Sequence, residues 1–289
     1  MTDNQLKTVS NLDPVLEINP MQKTSISPGN HFVATSVIPD EYRRILVRGK
    51  QAGTSRPKIS LTQSLLTDGD RRTEINDPSL MPWQMICLLK IRCKDGIDHI
   101  GTGWIAGPRL IITAGHCLYH DGILSGWADH IEVLPGHIDG AIGKTYISAR
   151  METTTEWLYK GDENFDIGAI FLSEDIENLY GSFSVGAYPD QFFQDRLVNI
   201  SGYPGTRYGD IQLHHENRVN SVTRTKLYYD VDTEGGQSGS PIWIYEDDNL
   251  ENPVVVGVHS YGAGNSQIGN SGVRINSKIY ELITKWKTD

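Results

Sequence analysis

Gly235-Gly236-Gln237-Ser238-Gly239-Ser240-Pro241 sets a serine hydroxyl directly behind a glycine pair. Glycines there permit the tight backbone that turns N–H groups inward. A nucleophilic serine needs such a pair of donors for a developing oxyanion. Taken alone, the stretch reads first as a Gly/Ser surface loop. It is not the Gly-x-Ser-x-Gly elbow, because Ser240 stands where that pattern has its second glycine.

Two stretches upstream give the serine possible partners. Thr113-Ala114-Gly115-His116-Cys117 directly follows the apolar run Leu110–Thr113, so His116 sits at a strand end, where an imidazole can project into a cleft as a general base. Asn164-Phe165-Asp166-Ile167-Gly168-Ala169-Ile170 opens an apolar strand with a carboxylate. Such an acid is costly to bury unless hydrogen-bonded, and holding the Nδ1–H of a catalytic histidine is one such role. Neighbouring Asp162, Glu163 and Asp175 read as solvated loop charges. His99, His120, His130 and His137 lack the Cys or carboxylate spacing of a zinc site. His214-His215 lies in a polar stretch and reads as solvated. No metal and no cofactor is expected.

Around these motifs, from about residue 80, short apolar segments recur with Gly, Pro and Asp between them. They are Trp83–Ile91, Ile100–Ala106, Leu110–Thr113, Ile131–Leu134, Ile167–Leu172, Leu197–Ser201, Lys226–Val231, Pro241–Tyr245 and Val254–Ser260. Several carry the β-branched and aromatic bias of strands, and Lys94-Asp95-Gly96 suits a hairpin turn. With 29 glycines, this predicts an all-β barrel or sandwich. Only the end looks helical: Ser277 is placed to cap Lys278–Lys287, with Ile279, Leu282, Ile283 and Trp286 on one face. No repeat suggests a solenoid or propeller.

The 289 residues are 38% hydrophobic and 21% charged, a globular composition. The net charge of −10 argues against nucleic acid or anionic membrane as main partner. No apolar run approaches the about 18 residues of a membrane span. Three cysteines cannot all pair with one another. The charge is uneven. Residues 1–63 hold eight basic and five acidic residues, two aromatics and no Trp or Cys, so they are net +3 against −13 for the rest. They read as an extension, either a segment lying against the acidic body as a propeptide does or a plain disordered tail. Asp3, Asp13 and Glu17 break every candidate apolar core of a signal peptide.

The order His116, Asp166, Ser238 is that of chymotrypsin, distinct from those of subtilisins and α/β-hydrolases. Further motifs are Thr102-Gly103-Trp104-Ile105-Ala106-Gly107-Pro108, Ser201-Gly202-Tyr203-Pro204-Gly205, Asp232-Thr233-Glu234 leading into the serine loop, and Gly257-Val258-His259-Ser260-Tyr261-Gly262. With these, the chain from about Ser64 onward resembles the chymotrypsin-fold serine peptidases, and most of all the bacterial glutamyl endopeptidases.

That resemblance implies two six-stranded β-barrels, at about 80–185 and 186–275, a helix at about 277–287, and a prosegment-like extension at 1–63 before a protease domain at 64–289. It implies His116 and Asp166 on the first barrel and Ser238 on the second. The Gly236 and Ser238 N–H groups would form the oxyanion hole. Ser260 would hydrogen-bond Asp166, while Tyr261 and Gly262 would pair with substrate backbone. Thr233 and His259 match the family's acid-selecting residues, with a protonated imidazole strengthening the bonds. Asp232 leaves the opposite selection open, for Lys or Arg, and a catalytically inactive binding module is a further alternative. The resemblance also implies a monomer acting on peptides or proteins outside the cell, although without a visible signal peptide a cytoplasmic place stays open. Ser64–Arg71 resembles the mature start of bacillus-type members, whose new α-amine would add positive charge near the pocket. Two departures stand out. Relatives pair the Cys after the histidine with a Cys where this chain has Gly101, so Cys117 lacks its usual partner and Cys87 and Cys93 read as core thiols. Acidic Glu246–Glu251 reads as a surface hairpin insertion.

Overall fold

A computed structural model describes residues 5–13, 36–37, 70–94, 96–139, 143–177, 181–246, 252–263 and 269–289. Most of the extension, the expected mature start Ser64–Gly69, Asp95 of the expected turn, and residues 247–251 of the acidic insertion lie outside these.

In chain order the strands are β1 (Thr8–Ser10), β2 (Ser36–Val37), β3 (Thr73–Glu74), β4 (Ile86–Arg92), β5 (His99–Gly107), β6 (Leu110–Thr113), β7 (Tyr119–His120), β8 (Gly126–Trp127), β9 (His130–Pro135) and β10 (Tyr146–Thr154). Helix α1 (Thr155–Lys160) follows, then β11 (Gly168–Leu172), β12 (Ser184–Val185), β13 (Leu197–Gly202), β14 (Leu213–Val222), β15 (Lys226–Tyr229), β16 (Pro241–Tyr245), β17 (Pro253–Tyr261), β18 (Asn270–Arg274) and α2 (Ser277–Thr288).

The larger strands close into two antiparallel barrels of six. The first runs β4-β5-β6-β11-β10-β9 and closes where β9 meets β10 at Val133↔Tyr146. The second runs β13-β14-β15-β18-β17-β16 and closes where β16 meets β13 at Ile242↔Ile200. Closure leaves few free edges. The edges that remain are covered: β1 adds to β10 and β2 to β5, while β3 adds to β14.

The burial pattern explains the strands. β4 and β6 are buried along nearly their whole length, which fits their continuous apolar runs. Trp104, Phe183 and Trp243 pack edge-on or tilted with ring centroids 5.9 Å apart. Helix α2 lays Ile279, Leu282, Ile283 and Trp286 back into the first barrel's core, and Trp286 Nε1 donates to Glu152 Oε2 of β10 at 2.8 Å.

Several expectations are corrected. Trp83–Met85 is a single 3₁₀ turn, and the strand begins only at Ile86. The α2 cap is Asn276, whose side chain accepts from Lys278 N and Ile279 N, so Ser277 is already inside the helix. The end is not the only helix: α1 is capped by Thr154 Oγ1 on Trp157 N and stopped by Gly161 at φ 61°. The strands β10 and β14 were not expected, because their exposed faces carry charged and polar residues. His214 is not solvated. It packs against Trp83 and Trp243 with its Nε2 3.1 Å from Asn199 Oδ1, and burial pushes its pKa down to about 4. His215 is also occupied, its Nδ1 accepting from Asp232 N at 2.8 Å.

Candidate active site

The first barrel brings His116 and Asp166 together. β6 ends at Thr113, and a 3₁₀ turn over Gly115–Cys117 carries His116 into the interior. A second turn, Glu163–Phe165, is capped by Asp162 and sets Asp166 just before β11. Asp166 Oδ1 accepts from His116 N at 2.8 Å and Oδ2 lies 2.6 Å from His116 Nδ1. Gly115 is required by this close approach. A Cβ there would stand 2.7 Å from Thr153 Oγ1 and 3.0 Å from Asp166 Oδ1.

Both side chains are fully buried. Burial alone would disfavour both charges, but each partner stabilises the other. The His116 pKa is raised and that of Asp166 lowered. The Tyr261 hydroxyl helps keep Asp166 ionised, and the Tyr261 ring lies 5.9 Å from the His116 ring. Ser260 does not take the role expected of it, since its hydroxyl donates to Val258 O at 3.3 Å. Lys226 caps this corner, with Nζ 4.4 Å from the Tyr261 ring centroid and 2.9 Å from Glu163 Oε2. Glu163 is thus paired rather than merely solvated, and Asp162 serves as a cap.

The second barrel supplies Ser238 on the loop before β16. Thr102 of β5 binds that loop twice: its N–H donates to Ser238 O at 2.8 Å and its hydroxyl to Gly236 O at 2.9 Å. Cys117 Sγ lies 3.7 Å from Ser238 O, which puts the serine beside the histidine turn. Gly236 has φ 98°, and a Cβ there would stand 2.6 Å from Tyr203 O, so only glycine fits. Among the described residues, the Gly236 and Ser238 N–H groups have no protein acceptor. Ser238 Oγ faces Ser260 O at 3.5 Å, and His116 Nε2 is buried without a partner.

Below the serine, His259 Nδ1 lies 2.6 Å from Tyr229 Oη, and its Nε2 is buried without a partner. Burial pushes its pKa down to about 3, so the imidazole is neutral at neutral pH and not protonated as expected. Thr233 Oγ1 accepts from Asn270 Nδ2 at 2.8 Å. Asp232 is not a free carboxylate. Arg71 donates to it from its backbone N at 2.8 Å and from its guanidinium at 2.8 and 3.1 Å. These bonds outweigh burial and hold its pKa below the usual value. Tyr261 and Gly262 lie at the end of β17, with the Tyr261 side chain turned inward.

The sequence pointed to the triad, oxyanion and pocket positions, but it missed Tyr229, Asn270, Arg71 as the partner of Asp232, and Arg72, whose guanidinium donates to Glu234 and Gln237 of the serine loop. Only Arg71 carried any signal, as the last residue of Ser64–Arg71. The three cysteines are buried and form no disulfide. Among the described residues, no three His, Cys, Asp or Glu side chains gather as a metal site, and no helix is long and apolar enough to cross a membrane.

Known proteins resemble this chain in sequence and in fold. The trypsin family model matches residues 71–284. A glutamyl endopeptidase of Bacillus licheniformis is 32% identical over 224 residues, covering 75% of this chain and 67% of that one. A Bacillus subtilis protein named extracellular metalloprotease is 27% identical over 229 residues, covering 78% of this chain and 71% of that one. Among solved structures, a Glu endopeptidase in complex with MPD superposes with a TM-score of 0.67 at 25% identity, over 77% of this chain and 99% of that one. The protease Anisep of Arthrobacter nicotinovorans gives a TM-score of 0.59 at 18% identity over 71% and 96%, a likeness of fold alone.

Proposed function

The chain belongs to the trypsin family and is a serine endopeptidase, and from that premise we propose that Ser238, His116 and Asp166 are its triad and that it cuts after glutamate. In this reading Ser238 Oγ rotates off the Ser260 carbonyl toward His116 Nε2 when substrate binds, since catalytic hydrogen bonds often tighten only in the complex. His116 takes the hydroxyl proton as Oγ attacks the scissile carbonyl, then returns it to the leaving amine. The oxyanion rests on the Gly236 and Ser238 N–H groups. Water, activated by the same imidazole, hydrolyses the acyl-enzyme. Asp166 holds the His116 tautomer throughout.

The observation that carries the glutamate reading is the pairing of Asp232 with Arg71. A pocket that selects Lys or Arg needs an unpaired carboxylate, and this one is already neutralised. In this reading Tyr229 Oη, 2.6 Å from His259 Nδ1, donates to it, so that the ring proton sits on Nε2 and can be given to a substrate carboxylate. The Thr233 hydroxyl accepts from Asn270 and keeps its own proton to donate. We propose further that the enzyme acts outside the cell, as the name of the Bacillus subtilis relative suggests for that protein, and that residues 1–63 are removed on maturation.

Two measurements test this. Ser238→Ala should abolish both hydrolysis and labelling by a serine-directed phosphonate; equal turnover would end the triad reading, and no turnover or labelling in wild type would favour a binding module. Digestion of a mixed-composition protein, read by mass spectrometry, should show cuts after Glu. Cuts after Asp should be weaker by about ten- to a hundredfold, because the shorter side chain loses one charged hydrogen bond of about 1.5–3 kcal/mol. Cuts mainly after Lys or Arg would overturn the glutamate assignment alone.

A further inference from the structure

The loop that carries Ser238 is tied to a segment outside both barrel rings. Arg72 precedes β3, which hydrogen-bonds to β14 through the pairs Thr73↔His214 and Glu74↔Leu213. Its side chain is 4% exposed, which is rare for a cation unless it is fully paired. Nη1 donates to Gln237 Oε1 at 2.9 Å and Nη2 to Glu234 Oε2 at 2.7 Å, while Asp70 takes Nε and Nη2 at 3.0 and 2.7 Å.

Both loop partners bear on the nucleophile. Gln237 lies between Gly236 and Ser238 in the chain and is 1% exposed. Its Oε1 also accepts from Glu234 N at 3.0 Å, and its own N donates to Glu234 O at 3.1 Å. The turn 234–237 is therefore closed on itself, with the guanidinium as its outer bracket. Glu234 Oε1 in turn accepts from the Thr206 backbone N at 3.0 Å and from the Thr206 hydroxyl. A planar fork that reaches an amide and two carboxylates at fixed angles is suited to this in a way a lysine is not.

We propose that Arg72 is a positioning residue for peptide hydrolysis: through Gln237 and Glu234 it fixes the turn that presents the Gly236 and Ser238 N–H groups to the oxyanion. This rests on the reading of Ser238 as nucleophile. Without the guanidinium, Asp70 and Glu234 face each other largely buried with no cation between them, and like charges so placed move apart. Gln237 Oε1 then loses its outer donor, and the donor pair loses its register. Arg72 touches neither substrate nor reacting atoms, so its loss acts on the chemical step and little on ground-state binding.

The experiment compares wild type, Arg72→Met, Arg72→Lys, Gln237→Leu and the double variant Arg72→Met/Gln237→Leu, each shown folded by near-UV circular dichroism at the assay temperature. Arg72→Met should lower kcat by about 10²–10³-fold, the range for losing an oxyanion donor, with KM changed far less. Arg72→Lys should recover part of this, since an ammonium reaches one partner but not the full set. The double variant should be no worse than the worse single, because both remove the same bracket. A kcat for Arg72→Met near wild type, an effect confined to KM, or additive losses in the double variant would overturn the proposal. If Arg72→Met does not fold, Gln237→Leu, which keeps every charge paired, decides alone: unchanged kcat overturns it. Phosphonate labelling of wild type separates the two readings. Failure there removes the nucleophile assignment, whereas labelled wild type with an indifferent Arg72 removes only the bracket.

Discussion

On the first barrel, His116 and Asp166 are held mainly by the barrel itself, with Tyr261 of the second barrel packed beside them. Each is fully buried, both Asp166 oxygens are bonded to the same histidine residue, and Gly115, Thr153 and Trp157 close around them. On the second barrel, the turn 232–238 is held largely from outside the ring: Arg71 on Asp232, Arg72 on Glu234 and Gln237, and Thr102 of the first barrel on Gly236 and Ser238. The difference teaches where each half is vulnerable. A residue embedded between strands moves only if the barrel opens, whereas a turn braced by side chains moves when one brace is lost. Any maturation cut compatible with this arrangement falls before Asp70, because Asp70, Arg71 and Arg72 are all engaged.

The largest expected effect breaks the first-barrel half. Asp166→Asn keeps the shape but removes the charge that fixes the His116 tautomer, and kcat should fall by about 10⁴. The pH dependence carries the same information. Asp166 raises the His116 pKa above the ordinary value of about 6.5. An imidazolium cannot accept the Ser238 proton, so activity is lost as pH falls through that raised pKa. The acid limb of kcat/KM should therefore lie above pH 6.5 in wild type and move lower in Asp166→Asn. A limb that does not move would show that the carboxylate does not set the base.

The second effect sharpens the comparison by stapling the histidine turn. A Cβ at Gly101 would lie 3.0 Å from Cys117 Sγ. That is about the separation of a Cβ from the far sulfur across an S–S bond of about 2.04 Å. Ile91 Cδ1, at 3.3 Å from the same point, is a side-chain end that can yield. Gly101→Cys should form a disulfide with Cys117, seen as the loss of one titratable thiol under denaturing conditions. It should raise stability by about 3 kcal/mol, as expected for a loop of about 15 residues. If the first-barrel half is as rigid as its burial indicates, kcat stays at its wild-type value. A fall in kcat on oxidation, reversed by reductant, would mean that the His116 turn must move during turnover.

The same contrast sets what could be read from sequence. His116, Asp166 and Ser238 were legible because each lies in a short stretch whose neighbours serve the same purpose: a strand end, an apolar strand with one acid, a glycine pair. The all-β class was legible from the apolar strands, whereas the two barrels came only with the resemblance, and β10 and β14 were not legible. Their outward positions are filled by residues such as Glu216, Arg218 and Asn220 that carry no strand bias. The bond from Arg72 to Gln237 spans 165 residues and leaves no periodic trace. Nothing local distinguishes that arginine from the one beside it. Tyr229 was hidden in a different way, since a tyrosine in an apolar strand serves the core equally well. Its alignment with His259 depends on the register of β15, β18 and β17, which the chain alone does not display.

The smallest effect concerns β1, one of two described strands of the extension that join the first barrel. Val9 of β1 is 9% exposed and pairs with Thr153 of β10, the residue whose hydroxyl holds Ile167 O next to Asp166. Asn11 adds two bonds to Met151, through its N at 3.0 Å and its Oδ1 at 2.8 Å, and Lys7 O accepts from Thr155 N at 3.0 Å. Removing two methyl groups from a nearly buried edge position should cost about 1 kcal/mol. Val9→Ala should accordingly lower the urea midpoint of the full chain with an unchanged slope, and leave kcat as it was. An unchanged midpoint would place β1 outside the cooperative unit. A lowered midpoint that persists after the chain has been cut before Asp70 would mean that the strand stays on β10 once its covalent link is gone. In that case the first barrel, like the serine turn of the second, takes part of its support from the segment ahead of both rings.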